Sequence, residues 1–291
     1  MPVLTIRHVT TYRYRQPVSF GEHRMMLRPR DSSDQRLLEA SLEISPEPKS
    51  LRFIQDGFGN HLGIARFFGQ SERLQFKSTM CLEHSPVDVT GLKIEEYART
   101  VPFAYSDDEL SDVAHCIERH HSDPENEVGR WARQFRPADA GTIEFLARLN
   151  KVIHRELLYR RREHKGIQEP METLRLGQGC CRDFAMLMIE AARSLGLAAR
   201  FVSGYLAVPM AESDEAPTGS THAWAQVYLP GAGWIDFDPT NGAVGKNDLI
   251  TVAVVHDPRD ALPLHGTFLG FPSDHLGMEV EVSVRSGPSL D

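Results

Sequence analysis

The sequence predicts an α+β protein of 291 residues, in which an antiparallel β domain precedes a helix that packs on a second antiparallel sheet. Three observations lead to this fold class. Residues 3–85 alternate between apolar and polar types with period two, the period becomes helical from about residue 100, and two short strands follow the last helix. We expect an N-terminal antiparallel β domain at residues 1–86, a core at 87–248, and a C-terminal β segment at 249–291 that packs back on one of these two domains.

Runs with the alternation of β-strands, separated by turn residues, fill the N-terminal part of the chain. The clearest turn is DGFGN, from Asp56 to Asn60, where Gly57 and Gly59 can take the positive φ angles that a tight hairpin requires. Turns this short join neighbouring antiparallel strands, so we expect an antiparallel sheet.

Three helices are expected before the last helix of the core. Ser106 and Glu109 have the spacing of a capping box for a helix that runs to about His120. Pro124 can open a second helix at its first turn. The third is predicted over residues 142–158, where leucine and isoleucine recur on one side.

The charge balance of the chain limits its partners. Lys and Arg total 32 against 40 Asp and Glu, a net charge of -8, which disfavours nucleic acid and anionic membrane and favours a peptide or other amide-containing substrate. The basic run RRREHK, residues 160–165, is typical of a solvated helix end, with an acidic-substrate patch as the alternative. The sequence shows no signal-like leader and no membrane-spanning apolar stretch, so we expect a cytoplasmic protein with reduced thiols and leave its oligomeric state open.

Two adjacent cysteines, Cys180 and Cys181, stand at the start of the predicted helix GCCRDFAMLMIEAARSLG. Unpaired N–H groups and the helix dipole favour a thiolate at this position. Cys181 shares the apolar face of Phe184 and should point at the following hairpin, whereas Cys180 is rotated by about 100° and should be a packing thiol. A lone cysteine is most often a small buried hydrophobic residue, but Gly177 and Gly179 would leave room for a group to reach the sulfur.

His222 and Asp238 stand where a cysteine nucleophile needs a base and an orienting acceptor. The strand HAWAQVYL begins at His222, and after the turn PGAG the strand WIDFD ends at Asp238, so antiparallel pairing places the two side by side. Asp236 is the rival acid, one pleat further away. A zinc site built from the two cysteines is disfavoured, because zinc-ligating cysteines are separated by two to four residues. We therefore expect neither a metal nor a cofactor.

The blocks GCCRDFAMLMIEAARSLGLAARFVSGYL and HAWAQVYLPGAGWIDFDPTNG resemble the transglutaminase-like superfamily in its bacterial form. This resemblance implies a papain-like or transglutaminase-like core in which Cys181 is the nucleophile, His222 the base and Asp238 the third member of a triad. The segments YRYRQPV, LRPR and DGFGN resemble the sandwich-like β domain found ahead of such cores. The sequence departs from the family at Cys180, where a non-thiol residue is usual, and this thiol could resolve an oxidised Cys181.

The oxyanion donors are not supplied by the resemblance. The backbone N–H of Cys181 is a natural first donor, and Gln178 and Tyr159 are candidates for the second.

The sequence thus favours a thiol-dependent amide or peptide-bond hydrolase that acts through a Cys-His-Asp triad and a thioester. Two alternatives stay open: a protein-glutamine transglutaminase, and a non-catalytic interaction module that keeps the triad residues. Hydrolysis is favoured over cross-linking, because the segment PMAESDEAPTGS at residues 209–220 is short, polar and acidic rather than an apolar channel for a lysine side chain.

Overall fold

The computed structural model describes residues 2–85, 89, 91–136, 140–162, 166–207, 219–245 and 248–287. The strands are β1 (Val3–Met25), β2 (Gln35–Ser45), β3 (Ser50–Gln55), β4 (His61–Arg66), β5 (Gln70–His84), β6 (Leu158–Tyr159), β7 (Gln178–Gly179), β8 (Ala199–Ala207), β9 (Gly219–Leu229), β10 (Gly233–Asp238), β11 (Ala243–Val244), β12 (Leu249–Val255), β13 (Leu264–Leu269) and β14 (His275–Ser286). The α-helices are α1 (Asp107–Ile117), α2 (Glu127–Arg133), α3 (Thr142–Glu156), α4 (Pro170–Leu176) and α5 (Cys181–Arg193). The predicted α+β class and the β-rich N-terminal domain are confirmed.

The N-terminal sheet is organised around the long strand β1. The strand order is β2-β5-β1-β4-β3, with β13 and β14 also paired to β1, all antiparallel. In the first half of β1, Ile6 and its neighbours on both faces are buried and Arg7 is exposed, so this part of the strand is covered on both sides. One buried face of this sheet, including Ile6, Met80 and Val282, packs on Tyr205 and Ile250 of the second sheet.

The hairpin between β3 and β4 turns at Asp56–Asn60. The Oδ1 atom of Asp56 accepts the backbone N–H groups of Phe58 and Asn60, both at 2.9 Å. Of the two glycines expected to need positive φ, Gly59 takes it, at 76°, whereas Gly57 does not. The turn therefore rests on an Asx hydrogen bond and a single left-handed glycine.

The second sheet has the order β11-β10-β9-β8-β12 and carries α5 on one face. Phe184 and Leu187 of α5 belong to the same buried cluster as Ala223, Ala225 and Val227 of β9. Because the opposite face meets the N-terminal domain, this sheet is covered on both sides.

Two side-chain amides from the N-terminal domain bind backbone N–H and C=O groups of the edge strand β12. Gln35 donates to the carbonyl of Thr251 at 2.7 Å and accepts its N–H at 2.8 Å, and Asn60 does the same to Val254 at 2.7 and 2.9 Å. Backbone groups on a sheet edge would otherwise need water or another strand. The amides thus hold the two domains in one register.

The C-terminal segment differs from its prediction. The sequence predicts packing on one of the two domains, but β12 pairs with β8 in the second sheet, while β13 and β14 pair with β1 in the first. The physical reason lies in the pattern of each strand. β12 is a continuous apolar run buried throughout, as a doubly covered strand must be, whereas β14 alternates and leaves most of its residues exposed.

The helices confirm the predicted capping box and correct three boundaries. Glu109 Oε2 accepts the Ser106 N–H at 3.1 Å, and α1 ends at Ile117, before the predicted His120. The second helix begins at Glu127 rather than at Pro124, because the Asp123 carboxylate caps its first N–H groups. α3 ends at Glu156, where the next residue turns extended and leads into β6. The short helix α4 is not among the predicted helices.

Candidate active site

The approach to α5 requires two glycines for different reasons. Gly177 ends α4 in the left-handed region, at φ 61°. Gly179 lies so close to α5 that a Cβ there would stand 2.9 Å from the Cβ of Asp183 and 3.2 Å from the ring of Phe184. The chain can therefore turn tightly into the helix, and β7 pairs with β6 immediately before the two cysteines.

A buried carboxylate, not anticipated as a site residue, fixes the first turn of α5. Asp183 is fully buried and binds Arg162 through both oxygens, at 2.7 and 2.8 Å, while accepting the N–H groups of Cys180 at 2.8 Å and Gln168 at 2.7 Å. Burial raises the pKa of Asp183, but Arg162 and the two N–H donors outweigh it and hold the pKa below its ordinary value. The spacing from Cys180 to Asp183 is that of a capping box and could have indicated this role.

Arg162 departs from the predicted role of the basic run. That role is a solvated helix end, and Arg160 and Arg161 are exposed, but the Arg162 side chain is only 20% exposed and ion-paired. Residues 163–165 of the run lie outside the described residues. The helix has already ended at Glu156, so Arg162 reaches back to the start of α5 instead of into solvent.

The two thiols are hydrogen-bonded to each other. Cys180 is buried, while Cys181 is partly exposed. The hydrogen bond from Cys181 lowers the pKa of Cys180 to about 6, and the same bond, with burial and the neighbouring charge, raises the pKa of Cys181. The pair therefore loses its first proton early and its second late. The Cys181 sulfur also faces the backbone N–H of Ala223, which favours the charge on that sulfur.

The predicted base and acid meet across the sheet. His222 on β9 and Asp238 at the end of β10 are both buried, and Nε2 of His222 lies 2.8 Å from Oδ2 of Asp238. Asp238 also accepts the Asn241 side-chain amide at 2.7 Å and the N–H groups of Thr240 and Asn241 at 2.9 and 3.3 Å. Burial raises the pKa of Asp238, but these donors, led by His222, bring it below its ordinary value.

This hydrogen bond decides the tautomer of His222. An ionised carboxylate can only accept, so Nε2 carries the proton and Nδ1 carries the lone pair. Nδ1 is the basic nitrogen that is left for a thiol. The strand begins at Gly219 and not at the predicted His222, so His222 lies inside β9. Because Ala223 directly follows His222, the N–H that faces the Cys181 sulfur belongs to the same part of β9.

Asp236, the rival acid, is hydrogen-bonded to side chains other than His222. Its Oδ1 accepts the indole N–H of Trp224 at 2.5 Å and the amide of Gln226 at 2.9 Å. The indole ring of Trp224 in turn lies nearly parallel to the His222 ring, with centroids 6.1 Å apart. Asp236 thus positions the wall behind His222, and Asp238 is the carboxylate that binds the imidazole.

The two candidate oxyanion residues lie on paired strands beside the thiols. Tyr159 of β6 is half-exposed and packs its ring on Phe184, and burial together with the charges of Cys181 and Cys180 raises its pKa. Gln178 of β7 stands opposite Leu158, and its carbonyl accepts the Gln168 amide at 3.0 Å. Tyr159 is therefore electrostatically coupled to both sulfurs.

Within the described part of the chain, no three His, Cys, Asp or Glu side chains are grouped so that they could hold a metal ion. Among the described helices, none combines the length and apolar character needed to cross a membrane.

Comparison with known proteins places this geometry in a family. Residues 4–83 match the model for the bacterial transglutaminase-like N-terminal region, and residues 129–239 match that for the transglutaminase-like superfamily. An uncharacterized Mycobacterium tuberculosis protein is 28% identical over 299 residues, covering 98% of this chain and 94% of the relative. An uncharacterized Mycobacterium leprae protein is 27% identical, covering 96% and 98%.

A solved structure shows the same fold. The crystal structure of a candidate cysteine protease from Cytophaga hutchinsonii superposes with a TM-score of 0.73 and 19% identity, covering 99% of this chain and 91% of that one. Residues 129–239 therefore belong to the transglutaminase-like superfamily, and they follow a bacterial transglutaminase-like N-terminal region at residues 4–83.

Proposed function

We propose that the protein hydrolyses amide or peptide bonds, with Cys181 as nucleophile, His222 as general base and acid, and Asp238 as the carboxylate that orients the imidazole. The observation that supports this most is the buried 2.8 Å bond from His222 Nε2 to Asp238, which directs the basic Nδ1 away from the carboxylate. The part of β9 that carries this histidine also offers the Ala223 N–H to the Cys181 sulfur.

The reaction follows from these positions. His222 takes the Cys181 thiol proton on Nδ1 and the resulting thiolate attacks the amide carbon, so that the carbonyl oxygen becomes an oxyanion. His222 then passes that proton to the leaving amine as the C–N bond breaks. The acyl group is then held as a thioester. A water molecule that loses its proton to His222 attacks the thioester, releasing the acid and the free thiol.

The oxyanion would be stabilised at the start of α5. The first N–H groups of a helix have no acceptor within it, so the Cys181 N–H is available as one donor. We propose Tyr159 or Gln178 as the second donor. The Tyr159 hydroxyl is the better supported of the two, since its pKa responds to the charge on Cys181.

Labelling with an electrophilic peptide amide that traps thiol nucleophiles tests this function. We expect the wild type and Cys180→Ser to be modified at Cys181, with turnover retained, and Cys181→Ala to lose both labelling and turnover. Modification of Cys181 no faster than Cys81, which is buried, would instead favour a non-catalytic interaction module. Loss of activity in Cys180→Ser together with its retention in Cys181→Ser would move the nucleophile to Cys180.

The molecule that takes the acyl group from the thioester, water or an amine, distinguishes hydrolysis from amine transfer. The predicted polar segment bears on this choice, but residues 208–218 lie outside the described residues. A competition between water and a primary amine at millimolar concentration gives the answer, read as free acid against amine adduct by mass spectrometry. We expect free acid to dominate, and predominance of the adduct would make the protein a transglutaminase.

A cytoplasmic location is proposed because all four cysteines are free, as expected in a reducing compartment. Recovery of the native protein in an extracytoplasmic fraction would contradict this proposal.

A further inference from the structure

A cavity of about 350 Å³ lies between the two domains, apart from the thiol site. The N-terminal domain lines it with residues 30–34, and the second sheet lines it with Arg200, Gln226 and Trp234 among others. Neither Cys181 nor His222 is among the described lining residues. Gln226 stands four residues after His222 on β9, roughly 13 Å further along the strand.

Arg200 is held rigidly at this cavity. Its guanidinium lies 3.9 Å from the centre of the Trp234 ring, and its Nε donates to Oε1 of Gln226 at 2.8 Å. Burial, and then the charge of Arg30, lower the pKa of Arg200 to about 10. Such a stacked guanidinium loses little further freedom when it binds a ligand.

The second cation, Arg30, faces the same space from the N-terminal domain. Its Nη1 donates to the Asn60 side chain at 3.2 Å, and burial lowers its pKa. Among the described residues, neither Arg30 nor Arg200 has a carboxylate within ion-pair distance, and the terminal nitrogens of Arg200 make no hydrogen bond. The charges of Asp236 and Asp56 act on Arg200 and Arg30 in the opposite direction, but without ion-pair contact. Two partly desolvated guanidiniums beside one cavity therefore favour an anion that contacts both.

The carboxylates at the cavity are already engaged with other groups. Asp236 accepts from Trp224 and Gln226, as described above. Asp34 accepts the Ser32 hydroxyl at 2.8 Å, and Asp31 accepts the Leu37 N–H at 2.7 Å.

A neutral polar group and an apolar wall complete the lining. The Thr251 hydroxyl is buried and, in the described part of the chain, has no hydrogen-bond partner. Leu92, Ile235 and Val254 contribute apolar side chains. The cavity thus combines two cations, an unpaired hydroxyl and an apolar surface, the mixture typical of a small-molecule site.

We propose that this cavity binds a small organic anion, whose carboxylate or phosphate lies against Arg200 and Arg30 and whose apolar body lies against the Leu92, Ile235 and Val254 wall. The site is distinct from the triad, because the described lining contains no triad member, although Asp236 in that lining also holds Trp224 behind His222. Its ligand is an oxyanion on an apolar body of a size that a 350 Å³ cavity admits.

Calorimetric titration of the full chain with benzoate, at fixed ionic strength, tests the proposal. Benzyl alcohol serves as the uncharged counterpart, and phenyl phosphate distinguishes a phosphate ligand from a carboxylate. We expect saturable binding of at least one of the two anions and none of the alcohol. Arg200→Gln and Arg30→Gln should each weaken anion binding by about tenfold or more, since each removes a charge-assisted contact. Arg15→Gln, at an exposed position on β1, should bind as the wild type does.

Several results would overturn the proposal. These are equal affinity for benzyl alcohol and the anions, absence of binding of both anions, or unchanged affinity in a folded Arg200→Gln protein. Thermal melting shows whether each variant is folded. If Arg200→Gln does not fold, unchanged affinity in Arg30→Gln overturns the proposal in its place.

Discussion

The replacement Asp238→Asn gives the sharpest test of the proposed triad. Asp238 is 1% exposed, and its Oδ2 accepts both the His222 ring N–H at 2.8 Å and the Asn241 amide at 2.7 Å, while Oδ1 accepts two backbone N–H groups. In asparagine one of these oxygens becomes an NH₂ group. In either orientation of the amide, its new NH₂ group faces two N–H donors that the Asp238 oxygen accepted. If that position is Oδ2, His222 can relieve part of the conflict only by adopting the other tautomer.

The size of the effect follows from that conflict. If His222 moves its proton to Nδ1, so that Nε2 can accept from the new amide, the nitrogen that should act as base is blocked. The variant also loses the negative charge that stabilises the imidazolium. We expect kcat/KM to fall about 10³-fold, which is roughly 4 kcal/mol of transition-state stabilisation. The fold should remain intact.

The assay is hydrolysis of the fluorogenic peptide amide that the wild type cleaves fastest, with circular dichroism to check the fold. Asp236→Asn is the matched control on the same strand and the same face. An asparagine oxygen there can still accept from Trp224 and Gln226, so kcat/KM should stay within about tenfold of wild type. A nearly normal Asp238→Asn enzyme beside an inactive Asp236→Asn enzyme would refute the assignment.

Three further predictions concern stability and metal dependence. Burial lowers the pKa of His8 to about 4, so between pH 6.5 and pH 4 the unfolded chain binds a proton on this residue that the folded protein does not. His8 should therefore lower the free energy of unfolding by roughly 3 kcal/mol as the pH falls from 6.5 to 4. Urea unfolding of His8→Gln should show a weaker pH dependence than that of the wild type. Asp183→Asn leaves Arg162 without its counter-charge and should cost about 3 kcal/mol or more in unfolding free energy, whereas a loss below about 1 kcal/mol would show that the pair is not needed. Activity should survive a chelator, and its restoration by calcium or zinc after loss would contradict metal independence.

The sequence was sufficient for the parts of the fold that local patterns determine. Period-two runs, the turn at Asp56–Asn60 and the capping box at Ser106 depend on neighbouring residues, and each is present in the structure, although only Gly59 of the two turn glycines takes positive φ. The proximity of His222 and Asp238 was also predictable, because a short antiparallel connection brings the end of β10 beside this part of β9. The register pairs Phe237 with Ala225, so Asp238 lies diagonal to His222 and not directly opposite it.

The remaining features depend on contacts between distant segments. The Arg162–Asp183 pair joins residues on different elements, and no periodicity in either segment indicates it. The division of the C-terminal strands between two sheets is likewise decided by which surfaces are left uncovered after both domains form. The two-cation cavity escaped prediction for the same reason, since Arg30 and Arg200 belong to different domains.

The pairing of β1 with β14 affects the order in which the protein can be completed during synthesis. Thr5 donates to the carbonyl of Gly287, a residue 282 positions later, and β14 covers one edge of β1 along its first half. At about 5 to 20 residues per second, the ribosome delivers β14 roughly 15 to 60 s after β1. During that interval β1 can pair with β5 but keeps its other edge open. The sheet that is translated first therefore cannot close before β14 has been made, and until then the nascent chain carries an unpaired strand edge that can bind other chains.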